Sequence, residues 1–225
     1  MTGLAAPPET ARPRRSDDAP LVPPGTPRQR AAKRAIDLAL ALVALIVLSP
    51  VAIILIVAIR LDSTGPVLFK QDRIGRDGRR FRMWKFRTMV ADAEQRRSAL
   101  LELSRDPNWL QMDHDPRVTR VGRLLRTTSL DELPQLVNVV RGEMSLVGPR
   151  PLIPLEDDRV PGWARRRNVV APGMTGLWQV SGRNELSFEE MLRLDCRYVE
   201  SWSPAADLSA LVRTPPAVLL RRGAS

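Results

Sequence analysis

Two carboxylates stand side by side at Asp131 and Glu132, in the stretch SLDELPQL, and four arginines precede them at a spacing of three: Arg117, Arg120, Arg123 and Arg126. On a helix, steps of three drift slowly round the surface, so these arginines are expected to form one basic band. Val118, Val121, Leu124 and Leu125 then fall on the other side, toward a core or a membrane. A merely solvated basic face would show the same pattern; the acids that follow give the band something to act with. Ser129 and Glu132 read as a capping box, with Ser129 as N-cap. A helix starting at Asp131 or Glu132 instead puts Pro134 in the first turn, where its missing N–H matters least. Under either start both carboxylates sit at a helix N-terminus beside guanidinium groups, which favour the ionised forms near neutral pH. An ionised aspartate is a competent nucleophile toward phosphorus. The same pair, Asp131 and Glu132, is a natural part of a Mg²⁺ ligand set, completed by water and substrate phosphates. Such a metal and arginine clamp is what charge-rich phosphoryl transfer needs.

A further arginine, Arg150, lies between two prolines in GPRP, residues 148–151. The stiffened backbone holds it at low entropic cost. The segment reads either as a tight structural turn or as a phosphate-binding loop. His114 is solitary, and a solvent-facing or structural role suits it better than catalysis. Cys196 is the single cysteine, which excludes an internal disulfide and fits a reducing compartment; one Cys and one His leave little for a zinc site.

The elements that must position these groups follow a membrane-like segment. Residues 38–59, LALALVALIVLSPVAIILIVAI, carry no charge. As a helix at ~1.5 Å per residue they would reach across a ~30 Å hydrocarbon core. Ser49 and Pro50 interrupt them. Pro50 removes the bond to the carbonyl of Ile46, and Ser49 can supply a partner for a freed backbone group. Two readings stand: a kinked spanning helix, or a re-entrant hairpin that turns at Ser49-Pro50. Lys33 and Arg34 flank the entry and Arg60 the exit, and the tail (Arg12, Arg14, Arg15, Arg28, Arg30) is basic like the domain. The tendency of positive charge to stay on one side opposes a span.

The net charge of +10 favours an anionic partner: a polyanion, a lipid surface or a phosphorylated substrate. Residues 1–30 hold seven prolines and read as a disordered tail, without the pattern of a secretory leader. The membrane helix is placed at 31–60 and a catalytic domain at 61–225, about 165 residues, enough for one core. Within that domain, 67–71 and 80–86 read as a hairpin across Gly75 and Gly78. Residues 90–105 read as a polar helix, and short strand character is expected around Leu177 to Val180. A helix capped by Ser187 and Glu190 runs to about Glu200, with Phe188, Met191, Leu192 and Tyr198 on its apolar side. Trp178 and Trp202 are core or interfacial anchors. The C-terminal stretch with Arg213, Arg221 and Arg222 suits a membrane surface. The fold class is therefore α+β: a helix-break-helix membrane segment, then a mostly helical domain with a small β-hairpin and membrane-surface amphipathic helices.

Four segments, KRAIDLALALVALIVLSP, KQDRIGRDGRRFRMWKFRTM, RVTRVGRLLRTTSLDELPQLVNVVRGEMSLVGPRPL and PGMTGLWQVSGRN, occur in this order. Together they resemble the bacterial sugar transferases, the monotopic phosphoglycosyl transferases, over about residues 31–220. The resemblance implies transfer of a sugar-1-phosphate from a UDP-sugar to a polyprenyl phosphate such as undecaprenyl phosphate, at the start of exopolysaccharide, capsule, O-antigen or glycoprotein glycan assembly. It implies Mg²⁺, a covalent phosphosugar intermediate on Asp131, and an assisting Glu132. Arg126 and Arg150 become candidates for binding phosphate, with Lys85 and Arg87 of KFRTM beside them. The break at Ser49 and Pro50 becomes that of a re-entrant helix that does not cross the bilayer. The catalytic domain is then expected on the cytoplasmic face of the bacterial plasma membrane, with membrane lipid, downstream glycosyltransferases and a second copy as partners. Some relatives carry a large N-terminal membrane region; this chain reads as a short form. A membrane-tethered nucleic-acid binder is the rival reading, but it lacks an aromatic stacking pattern and gives Asp131 and Glu132 no role. A non-enzymatic scaffold is another, and it too leaves the acid pair unexplained. No nucleic-acid partner is expected.

Overall fold

Thr26 starts the first helix. Its hydroxyl accepts the N–H of Gln29 at 3.2 Å, and the Gln29 side chain accepts the N–H of Thr26 at 2.8 Å, with Pro27 at the first helical position. The structure, a computed structural model, describes residues 22–93, 95, 96, 100, 104, 112, 115–182 and 186–219. Helix α1, Pro27–Val47, thus begins inside the stretch expected to be tail, because the capping box lies within the proline-rich segment. Most of the expected tail, half of the 90–105 helix, His114, Arg221 and Arg222 lie outside the described residues.

The chain breaks at Leu48, and helix α2, Ser49–Asp62, leaves at a bend of 61°. Pro50 cannot serve the Ile46 carbonyl; the Ser49 hydroxyl donates to it at 2.8 Å instead. Among the described residues no single helix is long and apolar enough to cross a membrane, and α1 and α2 meet that test only together. Both limbs return to the same body. Arg34 of α1 donates to the carbonyls of Val139 and Val140, and Ala41 is buried against Met83, Leu136 and Val139. On α2, Leu55 and Ile59 pack with Phe86 and Leu125. Around the bend Val43, Ile46, Val47, Ile53, Ile54 and Val57 are all exposed.

Strands β1, Leu68–Ile74, and β2, Arg80–Phe86, form the expected antiparallel hairpin, with Phe69 opposite Lys85 and Lys70 opposite Trp84. The first strand runs further than 67–71. After β2 come helix α3, Arg120–Thr128, and helix α4, Gln135–Arg141. Strand β3, Ser145–Val147, and the short helix α5, Pro154–Asp157, follow. Strand β4, Gly173–Thr175, pairs in parallel with β3, and residues 162–169 form a 3₁₀ segment between them in sequence. The backbones of β4 and the loop after β3 pass so close that a Cβ on Gly173 would stand 2.0 Å from the nitrogen of Gly148. This places the strand before Leu177; residues 177–180, expected as strand, form the helical turn α6, Leu177–Val180.

Helix α7, Phe188–Glu200, carries the expected Ser187–Glu190 capping box and buries Phe188, Met191, Leu192 and Tyr198. Trp178 belongs to its core cluster, while Trp202 packs at the edge of the next. Helix α8, Pro204–Leu219, leaves Leu208 and Val212 exposed. It is tied to α1 through Asp207, which holds Lys33 at 2.6 Å and accepts from Tyr198 at 2.7 Å. Among the described residues the fold is α+β, mostly helical, with two small two-stranded sheets.

Candidate active site

Thr119 caps α3, its hydroxyl accepting the N–H of Gly122 at 3.0 Å. Gly122 sits against the carbonyl of Thr88, 2.0 Å from where a Cβ would be, so the helix lies directly on the chain leaving β2. Leu125 is fully buried. The arginine band is shorter than its spacing suggests. Arg117 precedes the helix and is buried in an ion pair with Asp115 at 2.6 Å, while Arg120 and Arg123 are exposed and Arg126 is half-buried. Leu124, expected on the apolar side, is 61% exposed.

Ser129 ends α3 rather than beginning the next helix. It adopts φ 55° and ψ 18°, the left-handed conformation that closes helices, and its side chain makes no capping bond to the turn that follows. The expected capping box is therefore absent. The reversal sends Leu130–Glu132 into a single 3₁₀ turn, and Pro134 then precedes α4, the helix proper. Leu130 and Leu133 anchor the turn in the apolar cluster of Leu55, Ile59, Phe86 and Leu125. Asp131 between them turns inward, 6% exposed; Glu132 stays half-buried.

Lys85 comes to the pair from β2. Its ammonium lies 2.8 Å from Glu132 Oε1 and 3.7 Å from Asp131 Oδ2. The strand is fixed by Asn138, fully buried on α4. Its side-chain oxygen accepts the N–H of Trp84 at 3.0 Å and its NH₂ donates to the Arg82 carbonyl at 2.7 Å. The amide thus caps the strand edge one residue before Lys85. Nothing in the sequence marked Asn138.

Burial dominates the charge state of Asp131. It raises the carboxyl from 3.8 to about 6, with Glu132 pushing the same way and Lys85 and Arg126 opposing. The cations expected to favour the ionised form do pull it down, but desolvation outweighs them. The group remains mostly ionised at neutral pH, and a more basic carboxylate is a better nucleophile.

Arg150 leaves the loop after β3 with its guanidinium 4.5 Å from the centre of the Trp178 ring. Burial lowers its proton affinity, and the charges of Glu156, Glu132 and Asp195 offset only part of that, which puts the guanidinium within electrostatic reach of Glu132. Arg87 is placed differently. It is buried and donates to the carbonyls of Ile59, Ser63 and Pro66 and to the Ser63 hydroxyl, closing the end of α2. Its Nη1 and Nη2 are engaged there, a structural role that the sequence did not suggest. The structure thus sets Lys85 against Asp131 and Glu132, leaves Arg126 within charge reach of Asp131 and Arg150 within charge reach of Glu132, and places Arg87 at the end of α2. Among the described residues no group of three or more His, Cys, Asp or Glu side chains is placed to hold a metal ion, so any metal here would rest on the two acids and on substrate oxygens.

The family model of bacterial sugar transferases matches residues 28–221. The galactosyl transferase CpsE of Streptococcus agalactiae is 44% identical over 195 residues, 86% of this chain and 43% of CpsE. The exopolysaccharide production protein ExoY of Rhizobium meliloti is 41% identical over 201 residues, 85% of this chain and 87% of ExoY. A UDP-glucose:undecaprenyl-phosphate glucose-1-phosphate transferase of Caulobacter vibrioides is 40% identical over 210 residues, 87% of this chain and 74% of that protein. The chain thus spans less than half of CpsE and most of ExoY. With the match running through α1, the acid turn and α8, this chain belongs to the bacterial sugar transferase family.

Proposed function

We propose that this protein transfers a sugar-1-phosphate from a UDP-sugar to a polyprenyl phosphate at a membrane surface, through a phosphosugar carried on Asp131. The observation that carries the reading is the buried, still ionisable carboxylate of Asp131 beside Lys85, within electrostatic reach of Arg126. In the first step an Asp131 oxygen attacks the sugar-proximal phosphorus. The bond to the bridging oxygen breaks, and UMP leaves with that oxygen. In the second, an oxygen of the polyprenyl phosphate attacks the same phosphorus, the bond to Asp131 breaks, and the carboxylate is restored as the polyprenyl diphosphosugar departs. Lys85, Arg126 and Arg150 hold the phosphate charge while it shifts. Glu132 is open enough to ligate a metal or to handle a proton.

Two adjacent carboxylates, one buried and one half-open, fit Mg²⁺ as a partial ligand set with phosphate and water oxygens completing it. When bound, the ion would neutralise charge on the diphosphate. Lys85 stands between the same two acids, so metal and ammonium compete for Glu132.

The bent pair α1 and α2 is proposed as a re-entrant segment. Both limbs are anchored in one body, and the exposed large side chains around the bend are apolar. The reading places the site at the cytoplasmic face of the plasma membrane. The test is UMP release by purified protein with undecaprenyl phosphate and a panel of UDP-sugars, UDP-galactose and UDP-glucose first. Release with one donor and its loss in Asp131→Asn support the reading; no release with any donor refutes it.

A further inference from the structure

Deep in the domain, Arg167 and Asp195 form an ion pair at 2.7 Å with each side chain 1% exposed. Arg167 comes from the 3₁₀ segment 162–169 and Asp195 from α7. Such a pair is weak grounds for stability, since desolving two charges offsets most of their attraction. The hydrogen bonds left over after the pairing show what it holds. The Asp195 carboxylate accepts the backbone N–H of Arg150, at 3.3 Å to one oxygen and 3.2 Å to the other. Arg167 Nη2, besides its bond to Asp195, donates to the backbone carbonyl of Arg150. The two peptide groups of one residue are thus gripped by the two ends of one buried pair. Prolines 149 and 151 stiffen the chain on both sides. The third fixed point is Trp178, under the guanidinium.

We infer that Arg167 and Asp195 are positioning residues whose role is to fix Arg150, and with it the guanidinium seated on Trp178, for holding the transferred phosphate. The inference rests on the proposed function for the identity of that phosphate; the grip itself does not. A buried ion pair kept only for packing would have no need to spend its spare donors and acceptors on a single residue two elements away. A shift of about 1 Å at a group that holds a reacting phosphate is enough to cost on the order of a hundredfold in rate.

The test uses Asp195→Asn, which keeps the shape and removes the charge. Two readouts separate the grip from the reading. Hydrogen exchange reports the Arg150 amide directly. The inference expects that amide to lose protection in Asp195→Asn while the amides of α7 keep theirs; unchanged protection overturns it whatever the enzyme transfers. The second readout is a double-mutant cycle on kcat/KM for UMP release. Asp195→Asn is expected to cost at least about tenfold when Arg150 is present and less than about twofold in Arg150→Ala, because without the guanidinium the backbone grip has no side chain left to position. An equal loss in both backgrounds marks Asp195 as merely structural and overturns the positioning role. If Asp195→Asn does not fold, Arg167→Lys enters the same cycle: it keeps the charge and loses the fork that reaches both partners. Wild-type protein without UMP release would contradict the proposed function, and the exchange experiment would still decide the grip.

Discussion

Replacing Asp131 by Asn should stabilise the protein while removing its activity, and the size of the gain follows from the site. Burial lifts the Asp131 carboxyl from 3.8 to about 6. A rise of that size corresponds to roughly 3 kcal/mol. The folded value lies above the unfolded one, so the fold prefers the protonated form and bears a penalty when the group ionises. The penalty is absent below about pH 4, grows between about pH 4 and 6, and is complete above that. Asn mimics the protonated acid in shape and cannot ionise, so it escapes the penalty. Thermal unfolding in detergent or nanodiscs should therefore show Asp131→Asn more stable than wild type at pH 8. For a domain of this size about 3 kcal/mol corresponds to roughly 6–12 °C. Near pH 4 the two midpoints should converge. A variant no more stable than wild type at pH 8, or a gain equal at both pH values, would refute the burial argument. The same variant should release no UMP.

Lys85 is the largest influence holding Asp131 down, so Lys85→Met should move the acid limb of kcat/KM from about 6 to a higher pH, with activity lost as pH falls through it; a limb that stays put contradicts the coupling. Arg87→Ala should leave carbonyls of Ile59, Ser63 and Pro66 without their donor and cost about 3 kcal/mol or more of stability. Its KM for UDP-sugar, measured on the folded fraction, should stay within about twofold of wild type; a larger rise would return Arg87 to the substrate. Changing Ser49 and Pro50 together to Ala and Leu removes the breaker and should let α1 and α2 run on as one spanning helix. A cysteine placed ahead of α1 should then react with an impermeant reagent from the outside, and it should not do so in the unaltered break.

Several features were legible because local chemistry decides them. Ser187 and Glu190 announce α7, the alternation over 80–86 announces β2, and Pro50 announces the bend. The acid pair was legible as chemistry too, but its frame was not. A serine followed three residues later by a glutamate has the pattern of a helix start, yet here Ser129 closes α3 in the left-handed conformation. What overrides the pattern is tertiary: Leu130 and Leu133 are pulled into the cluster around Leu125, which turns Asp131 inward. Burial of that carboxylate, and so its raised proton affinity, cannot be read from its arginine neighbours in sequence. Arg117 looked like part of the band by spacing and is spent on Asp115. Arg87 looked like Lys85 two residues on, but it lies beyond the end of β2 and reaches the end of α2. Asn138, Arg167 and Asp195 carried no signal because their partners lie 54, 17 and 45 residues away along the chain.

The central claim is that the Asp131 oxygen bonds to phosphorus. Protein incubated with a UDP-sugar carrying a label on the sugar, with Mg²⁺ and without acceptor, is quenched and mapped by peptide mass spectrometry. The account predicts a phosphosugar mass on the peptide containing Asp131, released when polyprenyl phosphate is added. A label on another side chain, or UMP released with the protein left unlabelled, would contradict it.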